Sequence, residues 1–292
     1  MTIKKWLEKH TERLAGRTVA LSGSTGGIGR ELVKILASLG ADLILLDRNP
    51  KKSHALIDEA KKLFPNLRAS HITIDMEDIA SVKAACDALS QTKVDFLILN
   101  AGAYAIPRKK CDTGFDNVFQ INFISPYYMA RRLYQEISKS GGRIVAVSSI
   151  AHNYSKSDEG DLDFSSRTRA SLVYGNAKRY LTYSLSDRYA KSGALAIAHP
   201  GITFTNITAH YPPVIFALIK YPMKIIFMKP RRAALSIISG IFTPTAKCEW
   251  IGPRFFNVWG LPKRKRLTTA DKEEIKRISE NADKIFCLID NA

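Results

Sequence analysis

The stretch Ser22-Gly23-Ser24-Thr25-Gly26-Gly27-Ile28-Gly29 joins a short apolar run, Thr18–Leu21, to an amphipathic stretch near 28–39. The apolar run predicts a buried strand and the amphipathic stretch predicts a helix, so the glycines mark a strand-to-helix turn. Glycines let a backbone turn tightly and approach a ligand, and the helix that follows offers free N–H groups to an anion. The spacing is Gly-x-x-x-Gly-x-Gly, and a plain strand–helix turn is the alternative.

The same alternation of apolar runs and amphipathic stretches continues to residue 200. It predicts an α/β fold, a Rossmann-like doubly wound parallel sheet with helices on both faces. Such sheets bind ligands beyond the carboxyl ends of their strands, where the distinctive polar and glycine residues of this sequence fall. The predicted strands are Thr18–Leu21, Leu43–Leu46, Ala69–Ile74, Phe96–Leu99, Ile144–Val147 and Ala194–Ala198, and the predicted helices lie near 28–39, 51–63, 78–90, 114–139 and 172–191.

Both ends of the chain predict further helices. Residues 1–16 are expected to hold an amphipathic helix over Thr2–Leu14, either packed on the domain or lying in a membrane interface. Residues 17–292 are expected to form a single domain. Its last part, 271–292, is predicted to be a helix, with a start signal at Thr269.

Two acidic residues end neighbouring predicted strands. Asp47 ends the second strand, where a carboxylate can accept hydrogen bonds from an adenosine ribose and repel a 2′-phosphate, which favours NAD. Arg48 beside it favours NADP instead, so the preference between the two dinucleotides stays open. Asp75 ends the third strand, where it can bond an adenine amino group or cap the helix near 78–90.

The composition limits the class of protein. Hydrophobic residues make up 46% and charged residues 24%, which excludes a disordered or collagen-like chain. The four cysteines have neither metal-ligand nor Cys-x-x-Cys spacing, so neither a metal site nor a disulfide framework is expected. Scattered cysteines and the lack of a recognisable secretory signal favour a reducing, cytoplasmic location, with membrane association as an open alternative.

The basic charge is unevenly distributed. The 292 residues include 44 lysine and arginine residues against 27 aspartate and glutamate residues, a formal charge of +17. Eleven of these basic residues but one acid, Glu249, fall within 211–270. Such a surplus favours an anionic partner, but no nucleic-acid-reading module is visible and no nucleic-acid partner is expected. Peripheral contact of this basic and partly apolar stretch with an anionic membrane surface stays open.

Further motifs follow the strand ends or lie on predicted helices. Together with the glycine turn, they resemble the short-chain dehydrogenase/reductase family across residues 17–205. Ser149-Ile150-Ala151-His152, followed by a long insertion before Tyr174, is similar to the retinol-dehydrogenase-like and WW-domain-oxidoreductase-like branch. The motifs are Asn100-Ala101-Gly102, Asn122 in Gln120-Ile121-Asn122-Phe123, Ser148-Ser149, Tyr174-Gly175-Asn176-Ala177-Lys178 and Pro200-Gly201-Ile202-Thr203-Phe204-Thr205.

The resemblance implies catalytic roles for Asn122, Ser149, Tyr174 and Lys178. Tyr174 would exchange a proton with the substrate oxygen, and Lys178, on the same helix face, would lower the pKa of that tyrosine. Ser149 would bond the substrate oxygen, and Asn122 would hold a water in a relay to Lys178. The implied cofactor site consists of Gly23, Ser24, Gly27, Ile28, Gly29, Asp47, Arg48, Asp75, Met76, Asn100, Ala101, Gly102, Tyr174, Lys178, Thr203 and Thr205.

The resemblance therefore implies an NAD(P)-dependent oxidoreductase that interconverts an alcohol and a carbonyl, with NAD or NADP as cofactor. Residues 206–270 are predicted to form a C-terminal flap over the substrate, because prolines break the regular alternation after Pro200. Aliphatic and aromatic residues in this flap favour a lipophilic small-molecule substrate. The resemblance also implies a homo-oligomer formed through the helices at 114–139 and 172–191. The alternative function is a non-catalytic dinucleotide-binding regulatory protein.

Overall fold

The computed structural model describes residues 1–203 and 227–291, and in this part of the chain eight strands form one sheet. The strands are β1 (Thr18–Ser22), β2 (Asp42–Asp47), β3 (Ala69–Thr73), β4 (Phe96–Leu99), β5 (Arg143–Val147), β6 (Leu195–Ala198), β7 (Glu249–Phe255) and β8 (Trp259–Arg266). Their order is β3-β2-β1-β4-β5-β6-β7-β8. Neighbouring strands are parallel except β7 and β8, which form an antiparallel hairpin.

Helices cover both faces of this sheet. α1, α2, α3 and α8 pack on one face, and α4, α6, α7 and α9 pack on the other. The helices are α1 (Ile3–His10), α2 (Gly27–Leu39), α3 (Pro50–Leu63), α4 (Ile79–Ser90), α5 (Asn117–Phe119), a π-helical turn (Gln120–Ile124), α6 (Ser125–Lys139), α7 (Ala170–Tyr189), α8 (Pro230–Phe242) and α9 (Lys272–Asp290), with 3₁₀ turns at Ile150–Asn153 and Ala190–Ser192.

The central strands are apolar on both sides because helices cover both faces. In β1, Val19 and Leu21 belong to one core cluster, whereas Ala20 between them belongs to the other. A parallel sheet that is covered on both sides needs such continuous apolar strands. The predicted doubly wound α/β fold is confirmed, and the strands and helices predicted between residues 17 and 200 lie within three residues of those observed.

The structure differs from the prediction at residues 206–270. Residues 204–226, which include part of the predicted flap, lie outside the described residues. The remainder of that region is not a flap, because α8 packs on the sheet and β7 pairs with β6 through Ala198 and Ile251.

The sheet is also not wholly parallel, since β8 is an antiparallel edge strand that contains Lys263-Arg264-Lys265-Arg266. Charged side chains on an edge strand discourage pairing with other chains.

The N-terminal helix is shorter than predicted and packs on the domain. It spans Ile3–His10, and Trp6 is buried in the same core cluster as Leu14 and helix α2. This arrangement matches the packed alternative, because the apolar face of α1 is directed into the protein. None of the described helices combines the length and the hydropathy that crossing a lipid bilayer requires.

The C-terminal helix α9 covers α6 and α7. It begins at Lys272, with Asp271 as its cap, and not at Thr269. The guanidinium of Arg179 makes two hydrogen bonds to the Glu274 carboxylate, of 2.7 and 2.6 Å, and both side chains are buried. Asp283 accepts hydrogen bonds from Tyr127 Oη at 3.0 Å and Arg131 Nη1 at 2.6 Å. One side of the two helices predicted to join subunits is therefore packed against α9 of the same chain.

Glu274 is ionised in this buried pair. Burial by itself would raise the pKa of Glu274, but hydrogen bonds from Arg179 and Ser157 lower it below its ordinary value. A carboxyl group with a lowered pKa stabilises the fold at pH values above its unfolded pKa, and this contribution is lost as the solution is acidified.

We expect Glu274→Ala to lower the free energy of unfolding by about 3–5 kcal/mol, because it leaves the Arg179 charge buried without its partner. Glu280→Ala on the same helix breaks an exposed pair with Lys276, 3.8 Å long, and should cost less than about 1 kcal/mol. Urea unfolding followed by circular dichroism measures both variants. Equal losses in the two variants would contradict the assigned importance of the buried pair.

Candidate active site

A cleft lies at the carboxyl ends of β1 to β4, where the strand order reverses between β1 and β4. Its volume is about 410 Å³. Ligands of doubly wound sheets bind at this switch point. The lining residues are Gly23, Thr25, Gly26, Gly27, Ile28, Gly29, Leu46, Asp47, Arg48, Asn49, Lys52, Ile74, Asp75, Met76, Glu77, Asn100, Ala101, Gly102, Ala103 and Ile121. The cleft thus contains most of the residues predicted to bind the cofactor.

The glycine turn has no room for side chains at two positions. A Cβ on Gly29 would lie 2.2 Å from the carbonyl oxygen of Gly23, so the loop closes directly on the first turn of α2. Gly23 has a φ of +69°, and a Cβ there would lie 2.9 Å from the Cα of Ala101. These close approaches leave the N-terminus of α2 open to the cleft, as an elongated anionic ligand requires.

Asp47 faces the glycine turn. Its Oδ2 accepts hydrogen bonds from Ser24 Oγ and, at 2.9 Å, from Ser53 Oγ. Its Oδ1 accepts longer bonds of 3.3 Å from the backbone N–H and the hydroxyl of Thr25. Asp47 is only 5% exposed, so its carboxylate holds the turn in place. Sequence reasoning identified Asp47 but missed its partners Thr25 and Ser53, which no motif marks.

Arg48 and Asp75 lie together at the end of the cleft beside Asp47. Arg48 Nη1 is 3.7 Å from Asp75 Oδ2, and the arginine side chain is 72% exposed. Asp75 Oδ1 accepts a hydrogen bond of 3.0 Å from the backbone of Glu77. The cap of α4 is Asp78, so the capping alternative for Asp75 is wrong.

Tyr174 of α7 lies beside Ser149. The ring of Tyr104 lies edge-on to the Tyr174 ring with centroids 5.4 Å apart. Burial raises the pKa of Tyr174 to about 12, and the nearby Ser149 hydroxyl opposes this rise only in part. Tyr174 is therefore protonated at neutral pH and can donate a proton. Sequence reasoning missed Tyr104, whose only signal is its position two residues after Gly102.

Lys178 lies one helical turn after Tyr174 and is buried. Its Nζ donates a hydrogen bond of 2.9 Å to the carbonyl oxygen of Val147 and lies 5.8 Å from the centroid of the Tyr174 ring. Burial lowers the pKa of Lys178 to about 7, so the amine is close to its titration midpoint at neutral pH. The described residues provide no carboxylate bonded to this amine.

Asn122 lies in a π-helical turn, Gln120–Ile124, that sequence reasoning did not foresee. Its amide donates hydrogen bonds of 2.8 Å to the carbonyls of Ala103 and Val118, and its Oδ1 accepts from Ala103 N at 3.2 Å. A Cβ on Gly102 would lie 2.8 Å from Asn122 Oδ1 and 3.7 Å from Lys178 Nζ. Only a glycine lets the backbone pass between these two groups. Single π turns inside helices are frequent at functional sites.

Two predicted cofactor residues follow β6 in the chain. Thr203 is described and forms a bridge with Met228, whereas Thr205 lies outside the described residues.

His152, from the motif after β5, is buried with its Nδ1 2.7 Å from the carbonyl oxygen of Ser149. Burial lowers the pKa of His152 to about 4, so the ring is neutral and donates to that carbonyl. His152 therefore supports the backbone of Ser149.

Comparisons with known proteins agree with this geometry. The model of the short chain dehydrogenase family matches residues 17–159. Residues 17–159 therefore belong to the short-chain dehydrogenase/reductase family. Retinol dehydrogenase 12 of Mus musculus is 29% identical over 203 residues, which are 67% of this chain and 64% of that protein. The resemblance to this family and to its retinol-dehydrogenase-like branch is confirmed.

Two further comparisons concern length and fold. Short chain dehydrogenase resG of Aspergillus sclerotiorum is 31% identical over 197 residues, 62% of this chain and 55% of that protein. The chain thus spans about half to two thirds of the length of these two relatives. An uncharacterised protein from Mycobacterium paratuberculosis has a similar fold, with a TM-score of 0.70 and 22% identity over 96% of this chain and 94% of that chain.

We expect Gly29→Ala to lower the free energy of unfolding by about 3 kcal/mol, because its Cβ would overlap the backbone of Gly23. Gly26→Ala in the same turn places its Cβ at an ordinary contact distance of 3.5 Å and should cost no more than about 1 kcal/mol. Thermal and urea unfolding measure both variants. A stable Gly29→Ala protein would show that the turn is looser than described.

Proposed function

We propose that this protein is an NAD(P)-dependent oxidoreductase that interconverts an alcohol and a carbonyl by hydride transfer. The observation that carries the proposal is the position of Lys178 Nζ, which lies 5.8 Å from the Tyr174 ring and next to Gly102, a residue that lines the cleft. The glycine turn and the open N-terminus of α2 fit the pyrophosphate of such a cofactor. Family membership supports the same reaction class.

Each polar residue of the site has a role in this reaction. A bound nicotinamide would supply or accept the hydride at the substrate carbon. Tyr174, protonated at neutral pH, donates its proton to the oxygen on which negative charge develops during reduction. Ser149 holds the same oxygen by a hydrogen bond that strengthens as the charge grows. A charged Lys178 stabilises the phenolate that Tyr174 becomes. Asn122 holds the segment at Ala103, which follows Gly102 beside this amine.

We also propose a lipophilic substrate. Beside Tyr174, an apolar group contains Val118, Phe164 and Val173, with Ile106 and Leu172 packed against it. Apolar side chains around a few polar groups are typical of sites for apolar ligands. The name of retinol dehydrogenase 12 states a substrate of this class for that relative. These residues support the lipophilic assignment independently of residues 204–226 of the predicted flap.

We expect Tyr174→Phe to reduce kcat for carbonyl reduction by about 100-fold to 10,000-fold, because the substrate oxygen loses its proton donor. Dinucleotide affinity should fall far less than kcat, because the residues that line the cleft are unaltered. The loss of nicotinamide absorbance at 340 nm with a panel of lipophilic aldehydes and ketones provides the measurement. Tyr134→Phe is the control, since Tyr134 stacks on Tyr189 and does not line the cleft.

Unchanged turnover in Tyr174→Phe would contradict the assigned role. Tight dinucleotide binding by the unaltered protein, without turnover of any carbonyl in the panel, would instead favour the non-catalytic regulator.

We further propose that NADP(H) is preferred over NAD(H). The Asp47 carboxylate, which would repel a 2′-phosphate, is buried and shared among hydroxyl donors of Ser24, Thr25 and Ser53. Two cations, Arg48 and Lys52, line the same end of the cleft. Arginine pairs with phosphate through charge-assisted hydrogen bonds, so this end of the cleft suits an additional phosphate.

We expect Arg48→Ala to lower the ratio of kcat/KM for NADPH to that for NADH by about tenfold, because one charge-assisted bond is lost. Lys51→Ala is the matched control, because Lys51 is exposed on the same stretch of chain but does not line the cleft. Steady-state kinetics with both dinucleotides give the ratio. An unaltered protein that prefers NADH would refute the proposed preference.

A further inference from the structure

The hairpin of β7 and β8 ends in an unusual turn. Phe256 and Asn257, its two central residues, have φ angles of +50° and +59°, and Val258 N donates to the carbonyl oxygen of Phe255 at 2.9 Å. Two-residue hairpin turns with both φ angles positive normally use asparagine, aspartate and glycine at these positions. A phenylalanine in the left-handed region is disfavoured by its Cβ and persists only where the surroundings impose it. Phe256 is nevertheless 81% exposed.

The surroundings fix this turn from the inner side. The carbonyl oxygen of Asn257 accepts a hydrogen bond of 2.9 Å from Nε2 of the buried His199. Lys265 Nζ donates to Asn257 Oδ1 at 2.7 Å and to the carbonyl oxygen of Pro253 at 2.6 Å. Burial lowers the pKa of His199 to about 3, so its ring stays neutral and this anchor does not titrate near neutral pH. The tip is thus held rigid while the Phe256 ring is presented to solvent.

Phe256 belongs to an aromatic tip formed by three residues. Phe255 is 56% exposed and Trp259 is 41% exposed, on either side of the turn. Large exposed apolar groups that lie next to each other mark interaction sites more often than scattered ones do. The tip is continuous with a surface cleft between the N-terminus and the start of α8, which Trp259, Met1 and Phe227 help to line.

Basic residues lie next to the aromatic tip. Between residues 227 and 270 the described chain has nine lysine and arginine residues and a single acid, Glu249, which already lies 3.7 Å from Arg264. The nearest of them on the hairpin are Arg254, whose guanidinium lies 5.7 Å from the centroid of the Phe255 ring, and Lys263, which is paired with Gly252. The adjoining cleft adds Lys229, Arg231 and Arg232. A partner of this surface therefore has to be anionic and must accept aromatic side chains.

We propose that this hairpin tip docks on an anionic lipid bilayer, with Phe255, Phe256 and Trp259 entering the interface and the basic residues contacting the headgroups. Aromatic rings favour the boundary between headgroups and acyl chains, and each lysine or arginine near an anionic leaflet adds attraction. The charge complementarity and the rigid presentation of Phe256 carry the proposal. It stands independently of the proposed enzymatic function, because none of these residues touches the cleft beside Tyr174.

Vesicle co-sedimentation of the full chain tests the docking. The unaltered protein should bind vesicles of phosphatidylcholine with phosphatidylserine, and not vesicles of phosphatidylcholine alone. Binding should also shift tryptophan emission to shorter wavelength, because Trp6 and Trp250 are buried and only Trp259 can report. Equal binding to both vesicle types, or no binding to either, would overturn the proposal.

Two variants locate the docking residues. Phe256→Gly should weaken vesicle binding by about tenfold, because one aromatic ring no longer enters the interface. It should not destabilise the fold, because glycine suits the left-handed backbone of this turn. Lys263→Gln should weaken binding about fivefold. Leu288→Asn is the control, because Leu288 is also a large exposed apolar residue, with 61% of its surface exposed, but lies on α9.

Unaltered binding by Phe256→Gly would overturn the role of the tip. Binding to polyglutamate in the absence of binding to phosphatidylserine vesicles would assign the surface to an acidic polypeptide and equally overturn the lipid assignment. Carbonyl reduction is measured on the same preparations without vesicles, so failure of docking and failure of the enzymatic proposal are separate results.

Discussion

The close backbone approach at the carboxyl ends of β1 and β4 is the constraint on which the cleft depends. Ser22 Oγ accepts hydrogen bonds of 3.0 Å from the backbone of Asn100 and of Ala101, and the Asn100 amide donates back to the carbonyls of Ser22 and Gly23. These bonds join two strands whose chains leave toward opposite sides of the sheet. Because Gly23 and Gly29 carry no Cβ, the turn can close tightly and leave the end of α2 accessible.

Helix α7 connects this cleft to the stability of the whole domain. Tyr174 and Lys178 lie on its cleft side, and Arg179, the next residue, enters the buried pair with Glu274 of α9. The helix is therefore held from both sides, which fixes Tyr174 relative to the cleft. A site built on a rigid helix keeps its geometry better than one built on a loop. The same contact with α9 covers one side of the helices through which the family resemblance implies an oligomer.

Strand β8, at the edge of the sheet, both resists pairing with other strands and carries basic residues. An edge strand exposes unpaired backbone groups, and the lysines and arginines of β8 discourage another strand from pairing there. Lys263 of β8 and Arg254 of β7 are the charges nearest the aromatic tip of the hairpin, where Phe256 keeps an unfavourable backbone conformation. Much of the basic surplus of the sequence therefore belongs to one edge of the sheet and not to the cleft of the proposed reaction.

The sequence by itself determined the alternation of strands and helices, the glycine turn, and the identity of Asn122, Ser149, Tyr174 and Lys178, because these are encoded by local periodicity and short motifs. Tertiary structure decided what depends on distant neighbours. The oxygens of Asp47 face Ser24 and Ser53, burial shifts the pKa values of Tyr174 and Lys178 in opposite directions, and residues 230–266 complete the sheet. Local sequence cannot specify these features, since burial and hydrogen bonding arise only when segments far apart in the chain pack together.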